Sequence, residues 1–195
     1  MHVEQKIGRK GGDSPVIRRV IIGMVIVVLC ALGIKEGRYF ILVDNFGVVE
    51  EGKIYRSGQM RPYQLDRLIR KYGLRTVINT REMEAPVRRM ESEAEVCGRN
   101  GVEMVRIPMP GDGRGTYEQF DQALHVLQET NRLPALIHCA RGTHRTGAIV
   151  AAYRVRVQGW DPVQALEEMQ GYRFKSKGHV LTPYLHQYFE RVERE

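Results

Sequence analysis

Residues 138–147, HCARGTHRTG, follow the apolar run LPALI and lead directly into AIVAAYRV. An apolar run before a short polar loop and a helix-forming stretch puts Cys139 at the end of a buried strand. Ala140, Arg141, Gly142, Thr143 and His144 then form a loop into a helix whose first turn holds Arg145, Thr146 and Gly147. Such a loop turns successive backbone N–H groups inward and adds the positive end of a helix, which makes a cavity for a phosphate-sized anion. The same cavity stabilises a thiolate. A cysteine placed there has its pKa drawn well below the free value of about 8.5 and becomes a nucleophile at neutral pH. Arg145, six positions on, can fold back to grip phosphoryl oxygens in a bidentate pair, and Thr146 can offer a hydroxyl to the departing sulfur.

The C-x(5)-R spacing between strand and helix, with His138 before the cysteine and Arg145-Thr146-Gly147 at the close, resembles the phosphate-binding loop of the cysteine-dependent protein tyrosine phosphatase superfamily. It is most similar to that of the atypical dual-specificity phosphatases of plants and fungi, whose loop has the form HC-x-RG-x-HRTG. Arg141, Gly142, His144, Arg145, Thr146 and Gly147 fit that form, and the upstream stretches NFGVVEEGKIYRSGQ and LRTVINTRE extend the resemblance, which covers roughly residues 44–190.

The resemblance implies hydrolysis of phosphomonoesters through a phosphocysteine, with Cys139 as nucleophile and Arg145 with the amides of residues 140–145 as the phosphoryl cradle. It also implies a general acid, later a base, on a mobile loop about thirty residues before the cysteine. Here that loop is PMPGDGRGTY, where Asp112 precedes Glu118 and Asp121 on the following helix; a turn aspartate between glycines is the plainer reading. The implied substrate is a phosphorylated protein (phosphotyrosine or dual specificity) or, alternatively, an inositol phosphate or phosphoinositide. A catalytically silent phosphate-binding recruitment module is the alternative from another class. Two departures stand out: Thr143 occupies a place where the plant and fungal enzymes usually carry lysine, and a hydrophobic segment precedes the domain.

Around these residues, His138 is expected to orient the loop from beneath, and His144 either contacts substrate or faces solvent. Arg81, at the end of RTVINTR, either reaches the pocket or forms a surface ion pair. Cys97 reads as a packed small side chain, and GYRFKSKGH as a basic rim or a solvated loop.

The elements that must position this loop alternate. With 195 residues, 43% of them hydrophobic, the chain can bury one substantial core. RPYQLDRLIRKYG carries Leu65, Leu68, Ile69 and Tyr72 at helical spacing before Gly73, and RTVINT, GVEMVRIPM and LPALIHC read as strands. Between and after them lie helical stretches, one capped by Thr116. Strands alternating with helices predict an α/β fold with a mainly parallel central sheet flanked by helices, dual-specificity phosphatase-like. Ligands of such sheets bind at the carboxyl ends of the strands.

The net charge of +7 favours anionic partners; phosphorylated substrates are expected and nucleic acid is not. Three cysteines in unrelated contexts suggest neither a disulfide framework nor a zinc site, so no cofactor and no metal are expected.

Residues 1–19 form a basic segment. Residues 20–34 carry no charge and read as a hydrophobic transmembrane anchor, with a cleaved signal or a buried helix as alternatives. The phosphatase domain then spans 44–195. The surplus of basic residues before the run places the protein in a membrane as a single-pass chain, with its catalytic domain outside the cytoplasm.

Overall fold

Cys139 owes its position to β5, a four-residue strand buried on both faces at the centre of the sheet. The computed structural model describes residues 20–24, 43–82, 87–177 and 179–192. In chain order they contain β1 (Gly47–Glu50), β2 (Ile54–Ser57), α1 (Pro62–Tyr72), β3 (Thr76–Asn79), α2 (Val87–Arg99), β4 (Glu103–Arg106) and α3 (Tyr117–Gln128). A short 3-10 turn (Thr130–Arg132), β5 (Ala135–His138), α4 (His144–Arg156), α5 (Pro162–Gly171) and α6 (Leu181–Val192) follow.

The strands form one sheet in the order β1-β2-β5-β3-β4, with β1 antiparallel to β2 and all other pairs parallel. After β4 the chain crosses back, so β5 is enclosed between β2 and β3, pairing Ser57 and Asn79 with His138. This is the expected α/β fold, its sheet mixed through the β1 hairpin.

The period-two alternation of strand side chains divides the core into two layers. Tyr55, Val77 and Leu136 face one cluster with Leu65, Leu68 and Ile69 of α1 and Val96 and Cys97 of α2. Ile54, Ile78, Ala135 and Ile137 face the other, with Phe120 of α3, Ile149 of α4, Leu166 of α5 and Leu185 of α6. Burial of both faces explains why β5 reads as an unbroken apolar run.

The helix ends follow their sequence signals. Gly73 adopts φ +60° and closes α1 with an N–H to Ile69 O, while the Thr116 hydroxyl accepts the Gln119 amide at the start of α3. Helix α4 is buried nearly all round, from Thr146 to Arg154, and so forms the rigid backing of the loop that precedes it.

The N-terminal expectation is corrected. No helix among the described residues is long and apolar enough to cross a membrane, which goes against the single-pass placement and leaves the membrane partner and the extracytoplasmic orientation without support. The uncharged run of fifteen residues covers roughly 22 Å as a helix, short of a hydrocarbon core of about 30 Å. Of that segment, residues 20–24 are helical and exposed, whereas 25–34 and the basic segment 1–19 lie outside the described residues.

Candidate active site

The loop after β5 closes around the Cys139 sulfur. Helix α4 begins at His144, one residue ahead of the expected first turn, with Thr143 as its N-cap. The Cys139 side chain is only 2% exposed, yet it forms the floor of a cavity lined also by Gly111, Ala140, Arg141, Thr143, His144 and Arg145. The Gly142 N–H donates to Sγ at 3.1 Å. Burial alone would raise the thiol pKa. It is outweighed by the Thr146 hydroxyl and amide, the Arg145 charge and the Arg141 amide, so the pKa lies below the ordinary thiol value. The Thr146 hydroxyl is buried without a hydrogen-bond partner within ordinary distance, and its influence on the sulfur is the largest of those that lower the Cys139 pKa.

Beneath the cysteine, His138 is fully buried. Its Nδ1 meets the Cys139 carbonyl at 3.4 Å and its Nε2 lies 3.7 Å from Glu93 Oε2, which accepts the Asn79 side-chain amide at 2.7 Å. Burial lowers the His138 pKa against the pull of Glu93, so the ring is neutral. The His138 carbonyl accepts both the amide and the hydroxyl of Thr80 at 3.0 Å. His138 therefore anchors the strand end and does not address the sulfur.

Above the sulfur, Arg145 is half-buried. One guanidinium nitrogen donates to Met109 O at 3.3 Å and Nε has no partner, which leaves donors for phosphoryl oxygens. Met109 opens the loop that carries Asp112. The Asp112 carboxylate accepts the Arg114 amide at 2.9 Å and its guanidinium at 2.8 Å. Burial raises the Asp112 pKa, but these Arg114 hydrogen bonds and charge, with a smaller pull from His179, hold it below the usual carboxylate range. Gly113, at φ +93°, packs this loop against His144, where a side chain would meet the His144 carbonyl carbon at 3.2 Å.

His144 lines the cavity and stacks on His179, ring centroids 4.7 Å apart, with Phe174 edge-on at 5.7 Å. Burial, His179 and Arg145 lower its pKa. Arg141 is exposed at the mouth.

The structure thus gathers Cys139, the residues 140–145 and Thr146 around one point and places Asp112 at the rim, turned to Arg114. Glu118 and Asp121 lie elsewhere on α3, Asp121 accepting from Arg156 and Tyr188. Arg81 is buried close to His138 and does not sit among the residues lining the cavity. Cys97 packs under the opposite face of the sheet, where burial and Glu93 push its thiol up to about 11. The stretch GYRFKSKGH is built into the site: Phe174 is buried and His179 stacks on His144. Among the described residues no cluster of His, Cys, Asp or Glu could hold a metal ion.

Sequence reasoning missed Arg56. It is fully buried on β2, donates to Gly142 O at 2.7 Å, and stacks on Tyr172 with its guanidinium carbon 3.6 Å from the ring centroid. The strand sequence IYRS, with polar residues on either side, gave little signal that this arginine would be buried.

A buried cysteine of lowered pKa on the floor of a cavity, its sulfur accepting a loop amide at the end of a central parallel strand, is the arrangement of the cysteine-dependent phosphatases. A family model described as the tyrosine phosphatase family matches residues 40–195, and the chain belongs to that family. It is 34% identical over 137 residues to the inositol diphosphatase DSP3 of Arabidopsis thaliana, covering 65% of this chain and 61% of that relative's length. It is 31% identical to the putative tyrosine-protein phosphatase OCA1 of Mycosarcoma maydis, covering 77% of this chain and 92% of that one. Among solved structures, the core catalytic domain of the PP-IP phosphatase SIW14 from S. cerevisiae superposes with a TM-score of 0.67 at 23% identity, over 79% of this chain and 91% of that one.

Proposed function

We propose that this chain hydrolyses phosphomonoesters through a covalent phosphocysteine on Cys139. The observation that carries the reading is the buried sulfur that accepts the Gly142 amide while hydrogen bonds and the Arg145 charge outweigh its desolvation. The phosphoryl group enters the cup and meets the inward amides and the free donors of Arg145. The thiolate attacks phosphorus, the S–P bond forms and the P–O bond to the leaving group breaks. Asp112, released from Arg114, gives its proton to the leaving oxygen. Water then attacks the phosphocysteine, Asp112 takes its proton, and the S–P bond breaks with the Thr146 hydroxyl supporting the returning thiolate. Inorganic phosphate departs. The glycines at 111, 113 and 115 supply the freedom that Asp112 needs to turn over the pocket.

The substrate read first is a phosphorylated protein. Thr143, where a lysine would add charge, is buried and its hydroxyl accepts the Asn45 side-chain amide at 3.2 Å, so it supplies no cation for a second phosphate. The second reading is an inositol phosphate, favoured by exposed Arg141 and the His144–His179 pair at the mouth and by relatives named as an inositol diphosphatase and a PP-IP phosphatase.

The test is an acid quench of the full chain turning over an aryl phosphate in the presence of chelator, followed by peptide mass spectrometry. A phosphoryl group is expected on the peptide containing Cys139. Turnover without phosphorylation of that peptide overturns the reading. Relative rates on a phosphotyrosine peptide, a phosphoserine peptide and an inositol polyphosphate then separate the two substrate classes.

A further inference from the structure

Three consecutive carbonyls of the loop end on donors from one upstream segment. Ala140 O accepts the Gln59 amide at 3.0 Å, Arg141 O the Asn45 side-chain amide at 2.8 Å, and Gly142 O the Arg56 guanidinium at 2.7 Å. In a planar trans peptide the carbonyl and the following N–H point in opposite directions. Fixing these three carbonyls on the outside therefore turns the amides of Arg141, Gly142 and Thr143 to the inside. The Gly142 amide reaches the Cys139 sulfur, as this geometry requires.

The loop also rests directly on the backbone of that segment. A side chain on Gly142, which adopts φ +68°, would come within 2.6 Å of the Ser57 carbonyl carbon, and one on Gly58 within 3.0 Å of the Arg141 carbonyl carbon. The two glycines let one backbone serve as the mould of the other.

Arg56 is the part of this mould that packing alone does not explain. Its guanidinium is fully buried, Nε and Nη1 have no hydrogen-bond partner, and burial pushes its pKa down to about 10, which still leaves it charged at neutral pH. A buried cation is costly when it is under-bonded. Its one hydrogen bond is to the loop carbonyl, and its charge and that of a Cys139 thiolate attract each other. Asn45 does the neighbouring carbonyl the same service from a left-handed backbone conformation, φ +48°, and also reaches Thr143 Oγ1 at 3.2 Å.

We infer that Arg56 and Asn45 are positioning residues of the phosphatase site, which hold the Gly142 and Arg141 carbonyls outward and thereby aim the Thr143 and Gly142 amides into the anion cup. The inference rests on the phosphocysteine reading of that cup, but its principal readout does not need turnover.

The experiment compares R56M, R56K and N45A in the full chain by three measurements: thermal unfolding, kcat and KM on an aryl phosphate, and the pH midpoint of Cys139 alkylation. R56M is expected to lower kcat about 10²-fold, the effect of losing one aligned oxyanion donor, and to move the alkylation midpoint upward. R56K keeps a cation and a donor and is expected to recover most of both. N45A, at an exposed hydrogen bond, is expected to lower kcat about tenfold and to shift the midpoint in the same direction.

A purely structural role for Arg56 would lower the unfolding temperature and leave the alkylation midpoint of the folded fraction in place. An unmoved midpoint in N45A and in folded R56M, or an R56K no better than R56M, overturns the inference. If R56M does not fold, N45A alone decides. A wild-type chain with no turnover at all would count against the phosphatase reading, and the midpoints would still test the positioning role.

Discussion

Cys139→Ser is expected to lower kcat by about 10⁴-fold or more while leaving the affinity for inorganic phosphate largely intact. The cup stabilises an anion on the atom at position 139, and a thiol can supply that anion near neutrality whereas a serine hydroxyl cannot. A serine would need a base to deprotonate it. His138, the nearest imidazole in sequence, is neutral but turns its ring nitrogens toward the Cys139 carbonyl and Glu93, so it does not reach the side chain. Phosphate binding persists because the inward amides and Arg145 do not depend on sulfur. Steady-state kinetics with phosphate titrated by calorimetry measures both halves, and turnover within tenfold of wild type would remove Cys139 from the chemistry.

The second large effect is expected from Asp112→Asn, and its size depends on the leaving group. For an alkyl phosphate the leaving oxygen needs a proton, and removing the donor costs about 10²–10⁴-fold; for an aryl phosphate with an acidic leaving group the cost is much smaller. The pH profile carries the sign. Asp112 must be protonated in the first step, and its pKa lies below the usual carboxylate range because the pull of the Arg114 hydrogen bonds and charge exceeds the upward push of burial. The alkyl-phosphate rate of the free enzyme, read as kcat/KM, is therefore expected to fall as pH rises above that low value, and Asp112→Asn is expected to erase this limb. Arg114→Ala removes the partner and is expected to move the limb upward. A limb that survives in Asp112→Asn assigns the proton to another group.

The reactive centre was legible because its signals are local. The order of residue types from His138 to Gly147 encodes strand end, loop and helix start, and each was found within a residue of its expected place. Thr116 and Gly73 were legible for the same reason, since a cap depends on only a few neighbouring residues.

What the sequence did not reveal is long-range. Arg56 and Asn45 lie 86 and 96 residues from the carbonyls they hold, and only the placement of β5 beside β2 brings them under the loop. His179 reaches His144 through the same kind of closure, which is why GYRFKSKGH read more readily as a solvated loop than as a rim of the site. Asp112 was found as a loop carboxylate, but its pairing with Arg114, two residues away, sets its protonation in a way that residue identity alone does not. The membrane reading rested on a run of fifteen uncharged residues, and no helix among the described residues is long and apolar enough to cross a membrane.

The most direct measurement is the rate of Cys139 alkylation by iodoacetamide as a function of pH, followed by mass spectrometry, with phosphate as a protecting ligand and Cys97 as the internal control. A thiolate held by the cup predicts a Cys139 rate whose pH midpoint lies below that of an ordinary thiol and which phosphate suppresses, while Cys97, pushed up to about 11, stays unmodified. A Cys139 rate that is still climbing toward the ordinary thiol value of about 8.5, and is indifferent to phosphate, would contradict the account.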